Sequence, residues 1–316
     1  MTTQSVVEAT GAAARPADAL LTRKSRSLWG DAWRQFRRHR LAMLGLAVFS
    51  FFVLACAVGP LVYTTSVNEI NFTIRNQGPS LEHPLGTNDR GEDMLARILY
   101  GGRVSLAVGV VAMLIAVFLG TAAGALAGYF GGVVDTVLMR FTELLVSLPT
   151  LPLLLLIMYL FRDSLRQSIG VEAGTFLLMV VILGGLQWMP VARLVRAQFL
   201  SVKEKEFIEA ARCIGASRSS IIFRHILPNT LGPVIVAATL AVGGAIITES
   251  SLSFLGLGFP PDVPTWGRLL LDAVNFMELA PYMVIFPALV IFLAVLSINY
   301  LGDGLRDALD PRRTTS

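Results

Sequence analysis

VKEKEFIEAARCIGASRSSIIFRHILPN, residues Val202 to Asn229, is a basic, helix-prone segment between two long apolar runs. Phe207, Ala211 and Ile214 recur at helical spacing with Ile208 beside them, while Lys203, Glu206, Glu209 and Arg212 fall toward the other side. The pattern predicts a short amphipathic helix. Gly215 follows its last apolar residue, where a left-handed cap favours a residue without a Cβ. Ser217, Ser219 and Ser220 are then placed to cap a second short helix, with Ile221, Ile222, His225 and Ile226 along one side and Pro228 closing it. Each helix is far shorter than the roughly 20 apolar residues that cross a bilayer, so the pair is expected outside it, presenting a surface to a partner.

The composition agrees with a membrane setting. Of 316 residues, 54% are hydrophobic and only 15% charged, against about 25% charged in soluble domains. Charge placement says more than the net charge of +4. Arg15, Arg23, Lys24, Arg26, Arg34, Arg37, Arg38 and Arg40 all precede the first apolar run, which by the positive-inside rule puts the N-terminus in the cytoplasm. Beside such a span the run is not a nucleic-acid site. Cys56 in an apolar run and Cys213 in the basic segment are separated by bilayer depth, which argues against a disulfide.

Taken in order, residues 1 to about 25 lack periodicity and are expected to form a loose tail. Over Ser27 to Arg40, Leu28, Trp29, Trp33 and Phe36 interleave with arginines, a pattern of either an interfacial amphipathic helix on anionic headgroups or a simple topogenic cluster. Six spans are predicted: Leu41–Val62, Val104–Gly128, Val133–Phe161, Gly174–Val195, Leu231–Leu255 and Tyr282–Leu301. About 40 polar residues up to Arg103 separate the first two on the outside. Gly120, Gly124 and Gly128 step by four along the second span, a face that admits a close helix neighbour. Pro149 and Pro152 predict a kink within the third span. Asp135, Arg140 and Glu143 mark its cytoplasmic start, with Arg140 and Glu143 placed to pair. Glu249 lies toward the outer end of the fifth span, within reach of water, as a pathway or a structural charge. This topology puts 19 Lys and Arg inside and 7 outside, out of 26, with both termini in the cytoplasm.

Glu209-Ala210-Ala211, three residues, Gly215, nine residues, then Ile226-Leu227-Pro228 resembles the EAA loop of ABC importer permeases. Two further stretches are similar to the dipeptide/oligopeptide/nickel branch of that family. One is His83-Pro84-Leu85-Gly86-Thr87, Gly91-Glu92-Asp93-Met94-Leu95 and Arg97 to Arg103. The other runs from Glu249 through Gly258, Pro260-Pro261 and Thr265-Trp266-Gly267. At Asn88 and Glu92 this chain departs from the branch, which usually has Asp and Arg there. The resemblance implies an all-α, type I permease of six transmembrane helices with cytoplasmic coupling helices. It implies that Glu209, Ala210, Ala211, Gly215, Leu227 and Pro228 dock an ATPase. It implies a C-type subunit with a homologous second permease, two ABC ATPase subunits and an extracytoplasmic substrate-binding protein, in the inner membrane. The chain then divides into a tail and interfacial helix (1–40), a first span and extracytoplasmic segment (41–103), a core (104–303) with the coupling loop 202–229, and a tail (304–316). Within the branch small peptides are the commonest cargo, with nickel and haem among the alternatives.

No catalytic constellation and no metal site is expected. Gly86 and Gly91 have the spacing of a phosphate loop, but Glu92-Asp93 stand where Lys-Ser/Thr would meet the phosphates. ATP is therefore expected in partner subunits and no cofactor in this chain. His39, His83 and His225 are far apart, and on this topology His83 lies across the membrane from the other two. A stand-alone secondary transporter or channel is the competing reading. It calls for charges in mid-membrane or interrupted repeats, whereas the charges here are expected to avoid mid-membrane.

Overall fold

The computed structural model describes residues 28–309. The tail read over residues 1 to 25, and Arg312 and Arg313 at the other terminus, lie outside the described residues. Ten helices follow one another: α1 (Leu28–Arg38), α2 (Arg40–Val62), α3 (Met94–Phe130), α4 (Gly132–Ser147), α5 (Thr150–Ile169), α6 (Val171–Lys203), α7 (Glu206–Cys213), α8 (Arg218–Phe254), α9 (Trp266–Ala273) and α10 (Tyr282–Leu309). There is no strand among the described residues, only an isolated antiparallel bridge between Thr87 and Asp93. Among the described residues five helices are long and apolar enough to cross a membrane, and six spans result if α4 and α5 count as one.

Local chemistry explains the boundaries. His39 separates α1 from α2, its Nδ1 accepting from Ala42 N at 3.1 Å. Asp93 caps α3 by accepting from Ala96 N at 2.8 Å, so α3 begins ten residues before the predicted second span and takes in Met94–Arg103. The third span is not a kinked helix. α4 and α5 meet at 88° because Leu148, before a proline, turns extended (φ −76°, ψ 138°), and Pro149 starts a new helix. Pro228 does not close a helix either. A widened turn over Ile221–Ile226, in which Leu227 N donates to Ile222 O, carries the chain past it, and Asn229 Nδ2 donates to His225 O at 2.6 Å. The second predicted short helix and the fifth span are thus one helix of 37 residues.

The bundle is held by close backbone approach. α3 and α6 form the most extensive helix pair. A Cβ on Gly120 would lie 2.6 Å from Val191 Cβ, one on Gly124 2.4 Å from Ala192 O, and one on Gly128 2.6 Å from Phe199 Cβ. The predicted glycine face is therefore seated on α6. α3 and α6 run parallel, whereas α2 and α10 approach as closely but antiparallel, with Gly45 against Ser297 O and Gly304 against Ala42. Alternation of direction leaves the bundle with two ends. One gathers α1, the α3–α4 junction, the end of α6, α7, the start of α8 and the end of α10. The other gathers residues 63–93, the α5–α6 junction and α9.

That second end is pinned by polar groups. Tyr63 Oη donates to Asp93 Oδ2 at 2.8 Å, and His83 Nδ1 lies 2.7 Å from the same oxygen. Burial pushes the Tyr63 phenol above its ordinary value, and the bond to Asp93 acts in the same direction. Arg97 is fully buried, 2.7 Å from Glu92 and donating to Pro261 O at 3.0 Å. Asn88 Nδ2 donates to Glu92 Oε2 at 2.5 Å. The two positions that depart from the branch pattern thus form one buried network with Arg97.

Candidate coupling surface

α7 is an eight-residue helix held at one end of the bundle. Ile208 and Ala211 are its buried residues, and Ile208 joins Phe199, Ile221 and Ile226 in an apolar cluster beneath it. Burying Ile208 fully contributes about 2 kcal/mol, which fixes the short helix where propensity alone would not. The predicted apolar stripe is corrected here. Phe207 and Ile214 point outward, Ile214 86% exposed, and Phe223 on α8 joins them at 68%. A helix this short carries apolar residues on more than one side, and only the side that meets α6 and α8 is used for packing.

The turn after α7 is set by Gly215, whose φ of +80° a side chain would strain. Ala216 N donates to Ala211 O and Gly215 N to Arg212 O, both at 3.0 Å, the paired bonds of a Schellman cap. Ser217, alone of the three candidate serines, then caps α8 by accepting from Ser220 N at 3.3 Å. Glu209, Ala210 and Gly215 are exposed, Ala211 is buried, Leu227 is half-buried and Pro228 exposed. The six residues therefore divide into an outward surface and its seat. Around them Arg196 donates through Nη2 to Asp135 Oδ2 at 2.6 Å and through Nε to Oδ1, while Lys203 Nζ donates to Tyr129 O at 2.9 Å. These contacts lock α4, α6 and α3 together behind α7.

One other reading changes. Glu249 is fully buried, not within reach of water. It accepts from Ser105 Oγ at 3.0 Å and Ser253 Oγ at 2.7 Å, while Trp266 N donates to Ser105 Oγ at 3.2 Å. It ties α3, α8 and α9 together. Arg140 and Glu143 pair at 3.2 Å, as their spacing predicts. Phe141 between them stacks on Trp188 of α6 at 6.4 Å, inside the uncharged stretch 173–192. Cys56 is buried and Cys213 exposed, both free. Among the described residues no group of His, Cys, Asp or Glu could hold a metal. The Arg97–Glu92 and Glu249–Ser105 pairs were not foreseen. The Arg97 and Glu249 motifs marked the stretches without naming the partners.

A multi-span helical bundle with a short amphipathic helix exposed at one end is the architecture of a transport permease, and comparisons place it. The family of binding-protein-dependent transport system inner membrane components matches residues 120–315, and the N-terminal transmembrane domain of oligopeptide transport permease C matches residues 27–79. The oligopeptide transport system permease protein OppC of Haemophilus influenzae is 41% identical over 291 residues, covering 92% of this chain and 90% of that protein. The dipeptide transport system permease protein DppC of Alkalihalophilus pseudofirmus is 41% identical, covering 90% of each. The glutathione transport system permease protein GsiD of Pectobacterium atrosepticum is 39% identical, covering 91% and 92%. The fold matches a chain of the MetNI methionine ABC transporter in inward-facing conformations with TM-score 0.54 at 18% identity, over 66% of this chain and 94% of that one. This chain belongs to the binding-protein-dependent transport system inner membrane components and is a permease subunit of an ABC importer.

Proposed function

We propose that this chain forms half of the translocation route of an importer for small peptides, together with a homologous second permease. Two ATPase subunits bind at the α7 end, and an extracytoplasmic binding protein delivers cargo at the other. The α7 end, with both chain termini, faces the cytoplasm. ATP is bound by the partner subunits, and this chain holds no cofactor. Peptide cargo is supported by relatives named for oligopeptide and dipeptide transport that cover 90% or more of this chain.

The observation that carries the docking assignment is the exposure of Glu209, Ala210 and Gly215 beside Phe207, Ile214 and Phe223 on a helix whose other side is buried. Exposed apolar side chains beyond the apolar band, rimmed by Glu206, Glu209, Arg212 and Arg218, fit a protein groove better than water. Closure of the ATPases would press on this surface and bias the bundle between two states. The test is crosslinking from Cys213 in native membranes, followed by mass spectrometry of the product and of the co-purifying chains. An ATPase subunit joined to Cys213, with a second permease in the same complex, is expected. Recovery of this chain alone in several mild detergents would overturn the reading.

A further inference from the structure

α1 crosses the end of α10 instead of continuing the line of α2. His39, with φ −83° and ψ 99°, breaks the helix between them. A Cβ on Gly304 of α10 would collide with Ala42 Cβ and lie 3.0 Å from Phe36 Cε2, so residues 36 and 42 reach the same point. In one straight helix they would stand about 9 Å apart along the axis. Phe36 is buried there with Leu301 and Ala308. Gln35 Nε2 donates to Asp307 O at 2.8 Å, and His39 Nε2 stands 3.9 Å from Asp307 Oδ2. One side of α1 is thus taken up by its seat on α10.

The other side carries Trp33, Arg34, Arg37 and Arg38, all exposed, and Arg40 is exposed at the start of α2. Trp33 and Arg37, four residues apart, share one edge of the helix, with Arg34 and Arg38 beyond it. Trp33 stacks on Phe36 at 5.8 Å and so borders the buried side. Arg37, Arg38 and Arg40 make no ion pair among the described residues.

Two helices independently mark the edge of the apolar layer at this level. α2 carries no charge from Leu41 to Val62, and Leu41 and Leu44 are exposed directly after Arg40. α10 carries none from Tyr282 to Gly302 and turns charged at Asp303, Arg306 and Asp307. The two changes coincide where Ala42 meets Gly304, the level at which α1 crosses. Arg34, Arg37, Arg38, Arg40 and Arg306 outnumber Asp31, Asp303 and Asp307 there, so the apolar edge carries an excess of positive charge.

We propose that α1 is a binding surface for anionic phospholipid headgroups, with Arg37, Arg38 and Arg40 taking phosphates and Trp33 lying at the boundary beside Leu41 and Leu44. Arginine presents phosphate with a fork of paired N–H donors, and an indole favours the zone between hydrocarbon and headgroups. Basic side chains at such an edge are drawn to an anionic leaflet. Because Phe36, Gln35 and His39 fasten α1 to the last turns of α10, lipid held by α1 also steadies that end of α10. A topogenic cluster, whose work ends with insertion, has no need of this seat.

The test uses the full chain purified in a mild detergent and offered equal amounts of phosphatidylglycerol and phosphatidylcholine. Native mass spectrometry counts the lipid retained, and hydrogen exchange follows residues 301–309 with each lipid. The unaltered chain is expected to retain phosphatidylglycerol over phosphatidylcholine about fivefold, with exchange at 301–309 slowed about threefold by phosphatidylglycerol alone. A chain carrying Arg37→Gln, Arg38→Gln and Arg40→Gln together is expected to lose most of both effects, while lysine at the same three positions keeps most of the preference. An unaltered chain without preference, or a glutamine variant that keeps it in full, overturns the surface and leaves these arginines to insertion or to a protein partner. Preference without slowed exchange at 301–309 overturns the tie to α10. The unaltered chain decides the preference by itself, so a variant that failed to fold would leave the test standing.

Discussion

Ser105 on α3 and Glu249 on α8 meet in a buried hydrogen bond, Ser105 Oγ donating to Glu249 Oε2 at 3.0 Å across 144 residues of sequence. Ser253 holds the other carboxylate oxygen, and Thr265 Oγ1 donates to Ser253 Oγ at 3.4 Å. Glu249→Gln keeps volume and bonding capacity, because serine hydroxyls can rotate to accept as well as donate. It is expected to leave the chain monodisperse. Glu249→Leu strands two buried hydroxyls and is expected to cost about 3 kcal/mol. Thermal melting followed by fluorescence-detected size exclusion separates the two. Equal melting of both variants would mean that the node carries no stability.

The contact between Gly124 and Ala192 O tolerates no side chain. Gly124→Val would place a Cβ 2.4 Å from that carbonyl and force α3 and α6 apart. A loss of about 3 kcal/mol is expected by the same melting assay. Gly244→Val, at a glycine with nothing within 4 Å, is the control and is expected to melt close to the unaltered chain.

At the α7 turn, Gly215→Ala is expected to cost about 1 kcal/mol of local stability through its positive φ, while Gly215→Asn costs less. Because α7 is a docking surface in the function proposed above, Gly215→Pro and Glu209→Lys are expected to leave insertion intact and abolish ATP-coupled uptake. Uptake and membrane content are measured in parallel. Normal uptake in either variant would remove α7 from coupling.

Asp135 and Arg196 give a testable pair at moderate exposure. Asp135→Ala and Arg196→Ala are expected to be non-additive, with a coupling of about 1 kcal/mol in a double-mutant cycle. Additive losses would show that the pair does not hold α4 in place.

Hydropathy located the apolar runs but not where the helices around them start or break, and local rules located the cap at Gly215 and the four-residue glycine step, since each is written in consecutive residues. Other features depended on distant neighbours. The burial of Glu249 needs Ser105, and the seat of α4 needs Trp188 and Arg196 of α6. Pro149 and Pro228 look alike in sequence. At Pro149 the preceding Leu148 adopts an extended backbone and the helix breaks, whereas the widened turn before Pro228 and the Asn229 side chain let the helix continue. The outward aim of Phe207 and Ile214 was hidden because α7 has apolar residues on two sides.

The unbroken course of α8 past Pro228 has a mechanical meaning. Its 37 residues make a single rod about 55 Å long, with the α7 surface leaning on one tip and Glu249 clamped near the other. The widened turn over Ile221–Ile226 and the prolines Pro228 and Pro233 are where such a rod yields, so its near part is a joint and the rest a lever. Displacement carried past Pro233 reappears at the clamp that joins α3 and α9, at the opposite end of the bundle.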